Sequence, residues 1–185
     1  MIPIEFFWFA LIFMFCIIGA ARGLSKELGT SAILLLSLFT LKFGWQTLGE
    51  KLQPLLEQVP ISSTSANTAE AIYYIVGILF VTFIAYEGVV LQFPIQQQKG
   101  VVKGIFGFLG GWFNGYLIVG TIWDVTNNAE YFGIKVQSCC DTKVAITSCL
   151  TDFHNTIVQF LPVTLIPAGV FLVLGMILLL AVILK

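Results

Sequence analysis

Charge is what this chain of 185 residues has least of: Asp, Glu, Lys and Arg together make up 10% of it, against about 25% in a soluble domain. So few charges cannot cover a surface that faces water on all sides, so lipid must cover part of it. The nine Lys and Arg are scattered and the net charge is −1, which leaves no basic stripe of the kind that binds nucleic acid. Histidine occurs once, at His154. A Ser-His-Asp arrangement would rest on that residue with nothing around it to support the role. There is no Walker loop, and no glycine fingerprint at a strand-to-helix turn. The chain is therefore read as not an enzyme, with no cofactor and no metal. Internal repeats and long linkers are also missing. No Lys or Arg precedes the first apolar run; Arg22 and Lys26 follow it, the reverse of a cleavable signal. That run is read as a retained helix, with cleavage near Gly19-Ala20-Ala21 as the alternative.

Apolar residues fill the gap. They make up 58% of the chain, and the mean hydropathy is +0.96. A spanning helix needs about 20 predominantly apolar residues. Residues 6–21, 28–48, 71–91 and 104–123 supply four such segments, the second carrying Lys42 near one end. Residues 155–184 form a fifth uncharged run, too long for one perpendicular span; Pro162 and Pro167 are expected to break it, leaving 165–184. The sequence thus predicts an all-α integral membrane protein: a four-helix transmembrane core over 1–162 and an additional C-terminal transmembrane helix over 163–185.

Orientation follows from the positive-inside rule. The first connection holds Arg22 and Lys26, and the third Lys99 and Lys103. These are expected in the cytoplasm, with the N-terminus and the loop 124–154 outside. Trp8, Trp45, Trp123, Tyr73 and Tyr74 would then form an aromatic belt at the outer interface, with Lys42 snorkelling beside Trp45. In the second connection Leu48, Leu52, Leu55, Leu56 and Val59 recur at helical spacing up to Pro60. This predicts a short helix lying on the membrane surface or on the protein. Asn67 followed by Glu70 reads as a capping signal for the third span.

"GIFGFLGGWFNG", residues 104–115, carries five glycines among twelve residues. At 100° per residue Gly100, Gly104, Gly107, Gly111 and Gly115 share one narrow arc, with Gly110 outside it and Asn114 at its edge. Lipid gives helices no hydrophobic drive to associate, so small residues that let backbones approach supply contact instead. Gly104, Gly107, Gly111 and Gly115 are read as a helix-packing face, with Asn114 adding an interhelical hydrogen bond. The partner helix can lie in the same chain or in another copy. Glu87 is the only acid well inside a predicted span, which makes it a candidate intramembrane acid; pairing with Lys99 or Lys103 at the interface is the plainer reading. Cys139, Cys140 and Cys149 lie in the outer loop, where an oxidising compartment permits a disulfide. Free thiols, or a zinc site with His154, are the alternatives. Cys16 reads as a small packing residue.

Two blocks resemble the colicin V production protein family of bacterial inner-membrane proteins. In "ARGLSKELG", Arg22, Gly23, Lys26 and Glu27 match that family's RG-x-x-(R/K)-E cytoplasmic turn. Gly107, Gly111 and Gly115, followed by "YLIV", match its glycine-rich last core helix, and the order of segments agrees over 4–162. The family's Asp-Arg pair before that helix reads Lys103-Gly104 here, and its basic residue before the third glycine is Asn114. The resemblance implies a multi-pass inner-membrane accessory protein with a role in toxin (colicin V) production or export, or in envelope homeostasis. Its partners would be the bilayer and other membrane proteins, or further copies of itself. A scaffold subunit of a larger complex is the alternative, and a small channel or transporter a further one.

Overall fold

The computed structural model describes residues 2–56, 66–87, 93, 101–133, 137–138, 148–150 and 153–184. The fold is all-α: four long helices, three short ones, and a clasp of strands two or three residues long. In chain order these are β1 (Ile2–Pro3), α1 (Ile4–Arg22), α2 (Leu24–Leu56), α3 (Ala66–Glu87), α4 (Val101–Asn128), a tight turn (Glu130–Gly133), β2 (Gln137–Ser138), β3 (Ser148–Leu150), α5 (His154–Val158), α6 (Pro162–Leu165) and α7 (Ala168–Ile183). Helices α1 to α4 are each long and apolar enough to cross a membrane.

α1 begins after Pro3, whose φ is fixed near helical values. It ends at Gly23, whose φ of 85° favours glycine and whose N–H bonds Gly19 O at 2.8 Å. α2 starts at the next residue, so one glycine reverses the chain.

The separate surface helix expected over 48–59 does not form as such: as far as Leu56, those residues continue α2. Nothing between Trp45 and Leu52 stops a helix except Gly49, which costs only about 1 kcal/mol. Val59 and Pro60 lie outside the described residues. α2 is thereby 33 residues long, about 50 Å, and overhangs a hydrocarbon layer of about 30 Å.

α4 is the central helix, touching α1, α2, α3 and α6, while α7 lies along α2. The core consists of Leu34, Leu35 and Leu38 of α2, Ile78 of α3, Leu117 and Ile118 of α4, and Phe171 of α7. Outward faces are apolar too: Phe6 and Phe13 on α1, Phe80 and Phe83 on α3, Ile105 and Trp112 on α4. A surface of that kind suits lipid.

Pro162 opens α6 and Pro167 precedes α7, so the last apolar run is broken at both prolines. The helix that remains has 16 residues, about 24 Å, shorter than the 165–184 span expected and than the four long helices.

At the end of the bundle holding the N-terminus, β3 pairs in parallel with β1 on one side and β2 on the other, joining Pro3 to Cys149 and Gln137 to Cys149 in register. The expected aromatic belt is only partly a belt. Trp8, Tyr74 and Trp123 are buried between helices, and Trp8 stacks on Trp123 with centroids 5.8 Å apart. Trp45 and Tyr73 are half-buried beside one another. Helix packing recruits these rings where lipid headgroups were expected to.

Candidate functional site

The glycine face of α4 meets α1 of the same chain. A Cβ on Gly107 would collide with Gly19 O, one on Gly111 with Phe15 O, and one on Gly115 would stand 2.8 Å from Phe15 Cβ. Backbones touch directly along this seam, which is the close approach that small residues allow. Gly104 departs from the pattern: a Cβ there would meet nothing within 4 Å. It edges an apolar groove of about 420 Å³ lined by Ala20, Val101, Ile105, Phe108 and Leu109. Gly110, outside the arc, faces α2 instead, where a Cβ would lie 2.8 Å from Glu27 Cβ.

That contact borders the main polar feature of the bundle. Glu27, in the first turn of α2, is wholly buried. Its carboxylate accepts one donor from each of the other three long helices. Arg22 at the end of α1 donates to Oε1 at 3.0 Å, and Tyr86 of α3 to Oε2 at 3.2 Å. Asn114 of α4 donates to Oε2 at 2.7 Å and to Glu27 O at 3.0 Å. Asn114 Oδ1 in turn accepts from Ser31 at 2.6 Å. The Arg22 guanidinium stacks 4.3 Å from the Tyr86 ring centroid and reaches Thr30 and Ala85 O. Charge-assisted bonds of this kind are the strong ones, and a buried charge persists only when so satisfied.

The structure therefore unites two groups of residues the sequence treated apart: Arg22 and Glu27 of the cytoplasmic turn, and Asn114 of the packing face. Tyr86 and Ser31 complete the centre and were not singled out. Ser31 follows Glu27 by one helical turn, a spacing that was available to read. Of the same turn, Gly23 supplies the chain reversal and Lys26 is exposed. Glu87, the candidate intramembrane acid, is the exposed last residue of α3 and has no ion pair among the described residues. The buried acid of this end is Glu27.

A second polar group ties the tail down. Asp124, on α4, accepts from Thr164 of α6 at 2.9 Å on each oxygen. Lys42 of α2 does not snorkel beside Trp45; it donates to Val163 O at 2.7 Å and Ile166 O at 3.2 Å, the carbonyls exposed where Pro167 breaks the helix. Lys42, Glu70 and Asp124 interact electrostatically. Asn67 does not act through the expected capping pair: its amide donates to Asn128 O of α4.

Cys16 is buried on α1 as a free thiol. Cys139 and Cys140 lie outside the described residues, and only the backbone of Cys149 lies within them, so the disulfide reading falls outside the described structure. Among the described residues no three His, Cys, Asp or Glu side chains gather as metal ligands.

No protein-family model matches the chain, and no curated protein and no solved structure matches it.

Proposed function

We propose that the chain is a bacterial inner-membrane accessory protein of the colicin V production type, acting through helix contacts with other membrane proteins rather than through chemistry of its own. The observation that carries this reading is the Glu27 carboxylate, which is engaged by Arg22, Tyr86 and Asn114 and has the character of a joint. It joins Arg22 and Glu27 of the RG-x-x-(R/K)-E turn, one of the two blocks on which the family resemblance rests, to Asn114, the position of the glycine block where this chain departs from the family's basic residue. The glycine seam is consumed within the chain, so contact with partners falls to the apolar faces of α1, α3 and α4. In this reading the Gly23 end faces the cytoplasm and the clasp faces outward. Thiol labelling of Cys139, Cys140 and Cys149 in intact cells tests the orientation: labelling from outside is expected, and labelling only after permeabilisation contradicts it.

The role itself is tested by gentle detergent extraction and native mass spectrometry. A stoichiometric complex with secretion or envelope proteins is the expected result. A bare monomer or homo-oligomer contradicts it. One observation favours a second reading, a small transporter: Lys42 and Asp124 sit at a proline-broken apolar segment, and discontinuous helices with polar partners build transport sites. Ion or solute flux in proteoliposomes, lost in Asp124→Asn, would establish that reading instead.

A further inference from the structure

The clasp end of the bundle gathers a polar cluster that neither the ionic centre nor the proposed role uses. Glu5 and Trp8 of α1, Trp123 and Asn127 of α4, Tyr131 of the tight turn and His154 of α5 meet there. The His154 ring centroid is 6.0 Å from that of Trp123 and 6.5 Å from that of Tyr131. Exposure is 4% for Glu5, 6% for Trp8, 1% for Trp123, 7% for Tyr131 and 4% for His154. Two polar atoms of this cluster have no hydrogen-bond partner among the described residues, the indole N–H of Trp8 and His154 Nδ1, while the Trp123 indole and the Tyr131 hydroxyl face only one another. Native proteins leave few such atoms, and ordered water or an ion is the usual explanation. The backbone adds an independent sign. Glu130, Tyr131 and Phe132 have φ of 48°, 52° and 56°, a run of side-chain-bearing residues in the left-handed region that persists only where the surroundings hold it.

The ring chemistry says what is missing. His154 Nε2 lies 3.0 Å from Asn127 Oδ1, an atom that can only accept, so Nε2 carries the hydrogen and donates. In the neutral ring Nδ1 then presents a lone pair, 3.8 Å from Glu5 Oε1. Two acceptors face each other across a gap that one proton would satisfy.

We propose that Glu5 and His154 form a buried proton-binding site, hydrated by water held on the polar atoms of Trp8, Trp123 and Tyr131, through which α5 and the clasp respond to the pH on their side of the membrane. A proton from water adds to Nδ1, forming one N–H bond that donates to the Glu5 carboxylate. The pair passes from a net charge of −1 to 0, and no other bond changes. Among the described residues, the other titratable groups near the ring are Tyr131, whose hydroxyl burial pushes up and so keeps protonated, and Glu130, which is exposed; Asp124 is held by Thr164. Burial lowers the His154 pKa and the Glu5 charge partly restores it, so the ring is neutral at neutral pH.

Because His154 is the only histidine, imidazole nitrogen-15 NMR in nanodiscs reads this site alone. One transition is expected with a midpoint below about 6.5, Nε2 remaining protonated throughout. Glu5→Gln should lower proton affinity about tenfold or more, a downward midpoint shift of about one unit, while Glu130→Gln leaves it in place. Water cross-peaks to the Trp8 and Trp123 indole protons are expected too. An ordinary midpoint that Glu5→Gln does not move would overturn the proposal, and so would dry indoles. Should Glu5→Gln not insert, the Glu5 carboxyl carbon of the unsubstituted protein must shift at the His154 midpoint; independent midpoints overturn it equally.

Discussion

A methyl group decides whether α1 and α4 can meet. At Gly111 an added side chain would strike Phe15 O and Gly19, both backbone and neither able to swing aside. Overpacking of this kind costs about 1–3 kcal/mol and more where backbone must shift. Gly111→Leu is expected to lose the cooperative melt and the sharp size-exclusion peak of the parent. Gly104→Leu, in open space, should keep both; equal behaviour of the two would contradict the seam.

The seam was legible in the sequence because spacing of small residues survives folding. The ionic centre was not, because Glu27 finds Tyr86 and Asn114 across separations of 59 and 87 residues. A charge beside a turn looks solvated until its partners are known. That is why Glu87 drew attention as the buried acid and Glu27 did not. His154 gives a second test at this scale. The unfolded chain takes up its proton near about pH 6.5 and the folded chain only at lower pH, so the unfolded state binds more protons between the two. The contribution is fully present above about 6.5 and is lost as pH falls through that window. His154→Gln should flatten this part of a stability-against-pH curve.

Among the elements, α6 is the most exposed to disruption. Four residues cannot hold a helix by propensity, and α6 is held by the Thr164 hydroxyl, its one hydrogen shared between the two oxygens of Asp124, and by Lys42 on the carbonyls of Val163 and Ile166. Thr164→Val should leave a buried carboxylate short of donors, at about 1–3 kcal/mol. Amide exchange should rise at Leu165 and Ile166, whose N–H groups close α6 on Leu161 O and Pro162 O, while the centres of α2 and α4 stay protected. Uniform loosening of all helices would contradict a local role. The breaks at Pro162 and Pro167 were readable because proline acts locally. The full length of α2 was not: its polar overhang past Trp45 resembles a loop in composition, and the helix runs on to Leu56 with Pro54 inside it, one ladder bond short.

The whole molecule is a four-helix membrane bundle with its tail folded back along α2, its four long helices joined at one end by Glu27 while at the other the strand clasp ties the start of α1 to the chain that follows α4. Fold class and the four long segments were evident from hydropathy alone; the polar centres, which depend on long-range contacts, were not. One buried carboxylate holds the helices together. Unfolding free energy in mixed micelles tests it, comparing Glu27→Gln with Glu87→Gln. Removing one member of a buried pair costs about 3–5 kcal/mol, and Arg22, with 18% of its side chain exposed, sets the lower end. A loss of about 3 kcal/mol is expected for Glu27→Gln, largely recovered in Arg22→Met/Glu27→Met, with a negligible change for Glu87→Gln. Equal, small losses for both glutamates would contradict it.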